Sequence, residues 1–190
     1  DFMNSESKRT IDFDTKALQL CAERQLLVNF HGCQKPTGEF RTYPNEITRE
    51  GVRGVELNKL LRHIPSTHNV ALIFTRGILN NNDYTPVGFS NPGNTTWTHQ
   101  LATAYAFTSP LITIAEHPHM LLHDKRLKTI LPFLKELPST WDETLGLPGS
   151  DLDKTALLAR RKGQTWNLIA LQGSQPLQLP GKTDILLPGK

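Results

Sequence analysis

Three short, largely apolar runs, each ending on polar residues, constrain this chain most. LLVNF at 26–30 ends at His31-Gly32, VALIF at 70–74 at Thr75-Arg76, and PLITIA at 110–115 at Glu116-His117. Runs of this length suit strands buried on both faces, as in a parallel sheet. Helical periods lie between them. Residues 12–25 read as a helix capped by Asp12 or Asp14, with Ala17, Leu18, Cys21 and Ala22 on one face. Trp97, Leu101, Ala104 and Tyr105 repeat the period, as do Leu127, Ile130 and Leu131, and Pro132 then opens a new short helix, PFLKEL, as a first-turn proline. Strands alternating with helices predict βα units, a parallel sheet and the α/β class.

The pattern changes after about Asp151. KTALLARR and TWNLIALQ flank Lys162-Gly163 and read as an antiparallel hairpin, and the tail GSQPLQLPGKTDILLPGK is rich in Gly and Pro. This places a boundary near residue 150, between a βα region (1–150) and the start of an all-β region (151–190). With 190 residues, 37 % of them hydrophobic, the chain can bury one substantial core.

A net charge of +3 is modest, and the one tight basic run, Arg160-Arg161-Lys162, falls beside the expected hairpin turn. Aromatic and basic residues do not interleave on one stretch, which argues against nucleic acid as a partner. Cys21 and Cys33 form no disulfide framework and no metal spacing, and Cys33 reads as a bystander thiol. No apolar run is long enough to span a bilayer, and no membrane partner is expected. The chain opens on Asp1-Phe2-Met3 without a signal-peptide pattern and reads as a mature, trimmed or partial piece.

Chemistry concentrates at 29–56, NFHGCQKPTGEFRTYPNEITREGVRGVE, where an imidazole, guanidinium groups and carboxylates crowd between glycines and prolines. Such a loop-rich stretch on a rigid scaffold reads as a binding or catalytic rim. Paired carboxyl groups at strand ends would suit glycoside hydrolysis. The candidates are Asp1, Glu39, Glu46, Glu50, Glu56, Asp83 and Glu116, and spacing alone does not choose among them. From the residues alone, His31 reads as a structural core histidine at a strand end rather than as a catalytic one. Trp97, Tyr105, Trp141 and Trp166 read as packing residues rather than a sugar platform.

The segment FHGCQKPTGEFRTYPNEITREGVRGVE closely resembles glycoside hydrolase family 97, the α-glucosidase and α-galactosidase family. So do FTRGILNNNDYTPVGF (74–89), HQLATAYAFTSPL (99–111), TWDETLGLPG (140–149) and ARRKGQTWNLIAL (159–171). The resemblance runs in order along nearly the whole chain. It implies a partial (β/α)8 TIM-type barrel, about units 4–8, followed by the beginning of an antiparallel β-sandwich. An N-terminal β-sandwich and the first half of the barrel would then belong to the same polypeptide, outside this piece.

The resemblance also implies roles. Glu56 matches the family's general acid, and Glu50 a calcium ligand, with the acid itself lying at the ion. Asp1 matches the nucleophile of retaining members, and His31 a histidine that contacts the sugar. Gly32 stands where inverting members carry a glutamate base. These matches imply hydrolysis of α-glycosidic bonds in oligosaccharides by a retaining, α-galactosidase-like double displacement with Ca2+ near the acid/base. A non-catalytic carbohydrate-binding remnant and an inverting α-glucosidase are the alternatives. The family implies a periplasmic or extracellular setting, and a piece of this size is expected to be inactive alone.

Overall fold

The computed structural model describes residues 1–3, 5–60 and 63–174. Helix α1 (Lys8–Glu23) begins four residues earlier than the expected 12–25, because Ser7 rather than Asp12 or Asp14 caps it and accepts from the Thr10 N–H. Asp14 instead turns inward: it accepts from Gln34 at 2.6 Å and faces Arg49 at 3.6 Å.

Strand β1 (Val28–Phe30) pairs in parallel with β2 (Glu46–Arg49), which follows the one-turn helix α2 (Glu39–Thr42). The first apolar run is thus a parallel strand, as expected, though only over 28–30 and with an unexpected partner at 46–49; Asn29 lies opposite Thr48 and Phe30 opposite Arg49. Arg49 is wholly buried, sits over the Phe30 ring and forms a two-pronged ion pair with Glu46. A 3₁₀ turn at Val55–Leu60 then carries Glu56, where a short extended segment was expected.

Two further strand expectations fail. VALIF closes helix α3 (Ser66–Phe74), which starts after Pro65 and buries Asn69, Val70, Leu72 and Ile73. A helix covered on most of its surface loses the polar spacing that betrays a 3.6-residue period, so five apolar residues cannot distinguish it from a strand. PLITIA lies outside any strand among the described residues. Its Thr113 N–H donates to the Asp83 carboxylate and its Ala115 N–H to the Pro86 carbonyl, so loop and side-chain partners replace a ladder.

Helix α4 (Trp97–Ala106) matches its expected period and is capped by Thr96. Helix α5 (Pro118–His123) precedes a 3₁₀ turn at Lys125–Leu127, and α6 (Leu131–Glu136) opens with Pro132 in its first turn, as expected. Trp97 donates to the Phe89 carbonyl and Tyr105 to the Phe133 carbonyl, in keeping with packing roles.

The C-terminal part is a three-stranded antiparallel sheet. Strand β3 (Glu143–Gly146) pairs with β4 (Thr155–Lys162), and β4 with β5 (Thr165–Gln172) across the Gly163-Gln164 turn. The expected hairpin is present. The basic run belongs to β4 rather than to the turn: Arg160 is buried and donates to the Tyr105 carbonyl, while Arg161 and Lys162 pair with Asp142. Val70, Leu72 and Ala104 share one core with Ala156, Leu158, Ile169 and Leu171. The strand-like pieces expected at 175–190 lie outside the described residues. Among the described residues, no helix is long and apolar enough to cross a membrane.

Candidate active site

The parallel pair sets up the site by ending two strands side by side. The Glu50 N–H donates to the Phe30 carbonyl at 2.8 Å, extending the pairing one residue past β2. His31 leaves the end of β1 and Glu50 the end of β2. The Glu50 Oε2 atom accepts the Gly32 N–H and lies 3.6 Å from His31 Nδ1. On its other side, His31 Nε2 meets Asp83 Oδ2 at 2.9 Å.

Glu56 completes the cluster. Burial pushes its carboxyl up, its own backbone N–H draws it down, and the Glu50 carboxyl beside it raises it again, leaving it at about 7. A group that holds its proton near neutrality is suited to donating it. Its Oε2 atom is buried without a hydrogen-bond partner. Gly54 is required by this approach, since a Cβ there would fall 2.3 Å from Glu56 Oε2 and 2.4 Å from the Tyr84 carbonyl.

Of the seven candidate carboxylates, three converge on His31 or on one another: Glu50, Glu56 and Asp83. Three others have structural partners. Glu39 accepts from the Thr37 N–H and hydroxyl, Glu46 pairs with Arg49, and Glu116 accepts from Ser90 and the His117 N–H. Asp1 is exposed. Its neighbour Phe2 lies across Gly32, where an added Cβ would come within 2.7 Å of the Phe2 ring. The first residues therefore run past the strand end that carries His31. Gly32 itself has φ +54°, a left-handed conformation that a side chain adopts only with strain. Burial raises the Cys33 thiol to about 11, so it stays protonated and a poor nucleophile.

Sequence reasoning named Asp83 only as one carboxylate among many. Fifty-two residues separate it from His31, and no local spacing reports a contact made by the fold. Among the described residues, no group of three or more His, Cys, Asp or Glu side chains converges as a metal cluster. Glu50 and Glu56 nonetheless form a hard-oxygen pair with one unpartnered buried oxygen, which fits part of a calcium donor set and not the whole of one.

Glu50 at the end of β2 and Glu56 on the following 3₁₀ turn thus bring two carboxyl groups together beside His31. The glycoside hydrolase 97 family model matches residues 1–52. A Streptomyces bingchenggensis protein named "Probable retaining alpha-galactosidase" is 35 % identical over 169 residues, covering 87 % of this chain and 25 % of its own length. The retaining alpha-galactosidase of Bacteroides thetaiotaomicron is 31 % identical over 183 residues, covering 87 % of this chain and 27 % of its own. A glycoside hydrolase family 97 enzyme from Pseudoalteromonas sp. strain K8, solved in complex with acarbose, superposes with a TM-score of 0.79 at 28 % identity, over 90 % of this chain and 28 % of that one. Together they support the glycoside hydrolase 97 family. The chain spans about a quarter of the length of the curated relatives it matches.

Proposed function

We propose that this chain is part of a glycoside hydrolase that cleaves α-glycosidic bonds in oligosaccharides with retention of configuration, in the manner of its α-galactosidase relatives. The observation that carries the reading is Glu56, half-buried and raised to about 7 against Glu50 beside His31. In the first step Asp1 attacks the anomeric carbon while Glu56 gives its proton to the departing oxygen, leaving a glycosyl ester on Asp1. In the second, Glu56 takes a proton from water, which displaces Asp1 and releases the sugar. His31 contacts the sugar. A retaining pair stands about 5–5.5 Å apart, with no room for an interposed water. Gly32 supports retention over inversion: its φ and the overlying Phe2 leave no space for a side-chain base at that position.

Glu50 and Glu56 are the residues that would hold calcium, with further oxygens from outside this chain. When bound, the ion supplies fixed positive charge beside the two carboxylates. Its charge would also lower the Glu56 carboxyl, against the burial that raises it. On this reading residues 1–150 supply the second half of a (β/α)8 barrel and 151–190 begin a C-terminal β-sandwich. The short share of each relative that the chain covers supports it, and so does the parallel β1–β2 pair. A periplasmic or extracellular location goes with it.

The test uses the full-length polypeptide on a nitrophenyl α-galactoside. Asp1→Ala should abolish turnover, and azide should restore it by standing in for the lost nucleophile. Proton NMR of the fresh product should show the α-anomer first. A β-anomer would refute the role of Asp1 and require a base elsewhere.

A further inference from the structure

Asp83 is wholly buried, yet it lies on a loop rather than in a helix or strand. Its backbone N–H donates to the Arg49 carbonyl at 3.2 Å, which anchors the loop to the end of β2. Four donors reach its carboxylate. The Thr113 N–H donates to Oδ1 at 2.9 Å. The Thr113 hydroxyl at 2.8 Å, the Asn29 amide at 3.0 Å and His31 Nε2 at 2.9 Å all reach Oδ2. Burial alone would raise this carboxyl, but the bonds from Thr113, His31 and Asn29 outweigh it and hold it below the ordinary carboxylate value. An ionised carboxylate only accepts, so the proton in the His31 contact sits on Nε2. The opposite ring nitrogen, Nδ1, then faces Glu50.

We propose that Asp83 is the positioning residue of this site: it pins His31 in one ring orientation through the bond from Nε2 to Oδ2, leaving Nδ1 as the edge presented to Glu50 and to a bound sugar. The inference rests on the glycosidase reading above and deepens it. Packing two χ angles of a histidine against solvent would leave the ring free to flip. A buried acceptor held by three further hydrogen bonds does not move with it. Asn29, one residue before the last of β1, and Thr113 in the 110–115 segment thereby act on the same imidazole through one carboxylate. The arrangement also accounts for a buried carboxylate with no Lys or Arg paired to it among the described residues, because four donors replace the water it has lost.

The experiment is a double-mutant cycle in the full-length polypeptide, reading kcat and KM separately on a nitrophenyl α-galactoside. Asp83→Asn preserves size but turns an NH2 group toward three donors, or loses the Thr113 N–H bond if it flips. It should lower kcat/KM by about tenfold or more. In a His31→Ala background the same change should alter kcat/KM less than about twofold, because the residue it positions is gone. Thr113→Val serves as the milder second variant. It removes one hydroxyl bond to Oδ2, keeps the backbone bond, and should show a smaller loss that likewise vanishes in His31→Ala. Equal losses in both backgrounds, for either variant, would mean that Asp83 only holds the loop, and would overturn the proposal. If that occurred while the parent remained active, the glycosidase reading would stand. A full-length parent that hydrolyses no α-glycoside would overturn both.

Discussion

At the scale of single residues, the site separates carboxylates by what faces them. Glu46 meets a guanidinium, Asp83 meets four hydrogen-bond donors, and Glu56 meets another carboxyl; burial and that neighbour raise Glu56 to about 7. A second buried group extends this contrast. Tyr84 donates to Asn69 Oδ1 at 2.6 Å, and the Asn69 amide donates to His99 Nε2 at 2.9 Å, so His99 is held as a neutral acceptor. Burial lowers it from 6.5 to about 4. Between those values the unfolded chain binds a proton that the folded chain refuses. Stability from this residue is therefore complete above pH 6.5 and falls as the pH drops toward 4, by at most about 3 kcal/mol. Urea midpoints at pH 7 and pH 4.5 should show this loss, and His99→Gln should flatten the difference between them. A variant that retains the full pH dependence would show that other groups cause it. His99 carried no sequence signal, because its neutrality comes from burial, which only the fold creates.

At the scale of elements, β2 depends on one side chain. Arg49 is wholly buried and joins Glu46, Asp14 and the Gln34 carbonyl, tying α1, the loop after β1 and β2 together beneath the ends that bear His31 and Glu50. Replacing Arg49 with Met should cost about 3–5 kcal/mol, since it strands two buried carboxylates without their cation. Equilibrium denaturation measures this directly, and a loss below about 1 kcal/mol would mean that water or neighbouring donors already satisfy Glu46 and Asp14. The elements also show what was legible in the sequence. LLVNF and the hairpin were readable because local pattern and tertiary role agree there: β1 is apolar at its buried end, and β4 and β5 flank a glycine turn. VALIF was not readable, because α3 is apolar on nearly every side, and its polar first turn, Ser66 to Asn69, lies ahead of the run that drew attention. PLITIA misled for another reason. Its backbone partners are Asp83 and Pro86, contacts of the folded molecule that no spacing along the chain encodes. The site shows the same division. Glu50, Glu56 and His31 were legible through a family resemblance in one continuous segment, whereas Asp83, Thr113 and Asn29 join them only through the fold.

At the scale of the whole molecule, the two sheets are unequal. β4 and β5 pack against α3 and α4 as one core, and β4 is buried along most of its length. β1 and β2 form a sheet of only two strands, each with an outer edge unpaired among the described residues. Phe13 and Leu20 on α1, Leu26 and Leu27 just before β1, and Leu111 and Ile114 are exposed. Single exposed apolar side chains are ordinary, but Leu26 and Leu27 lead directly into β1, whose second edge has no strand partner among the described residues, and open edges recruit other chains. A further set of strands and helices from the same polypeptide would cover both, as the proposed half barrel requires. This gives an expectation for the 190 residues expressed alone: they should self-associate in light scattering, bind 1-anilinonaphthalene-8-sulfonate and hydrolyse no nitrophenyl α-galactoside. Placing Lys at positions 26 and 27 should reduce association without restoring activity, because solubility and completion of the sugar pocket are separate deficits. A monodisperse, dye-negative chain that hydrolyses the substrate would show that the two-stranded sheet suffices, and that the carboxylates at its end form a working site without the remainder of a barrel.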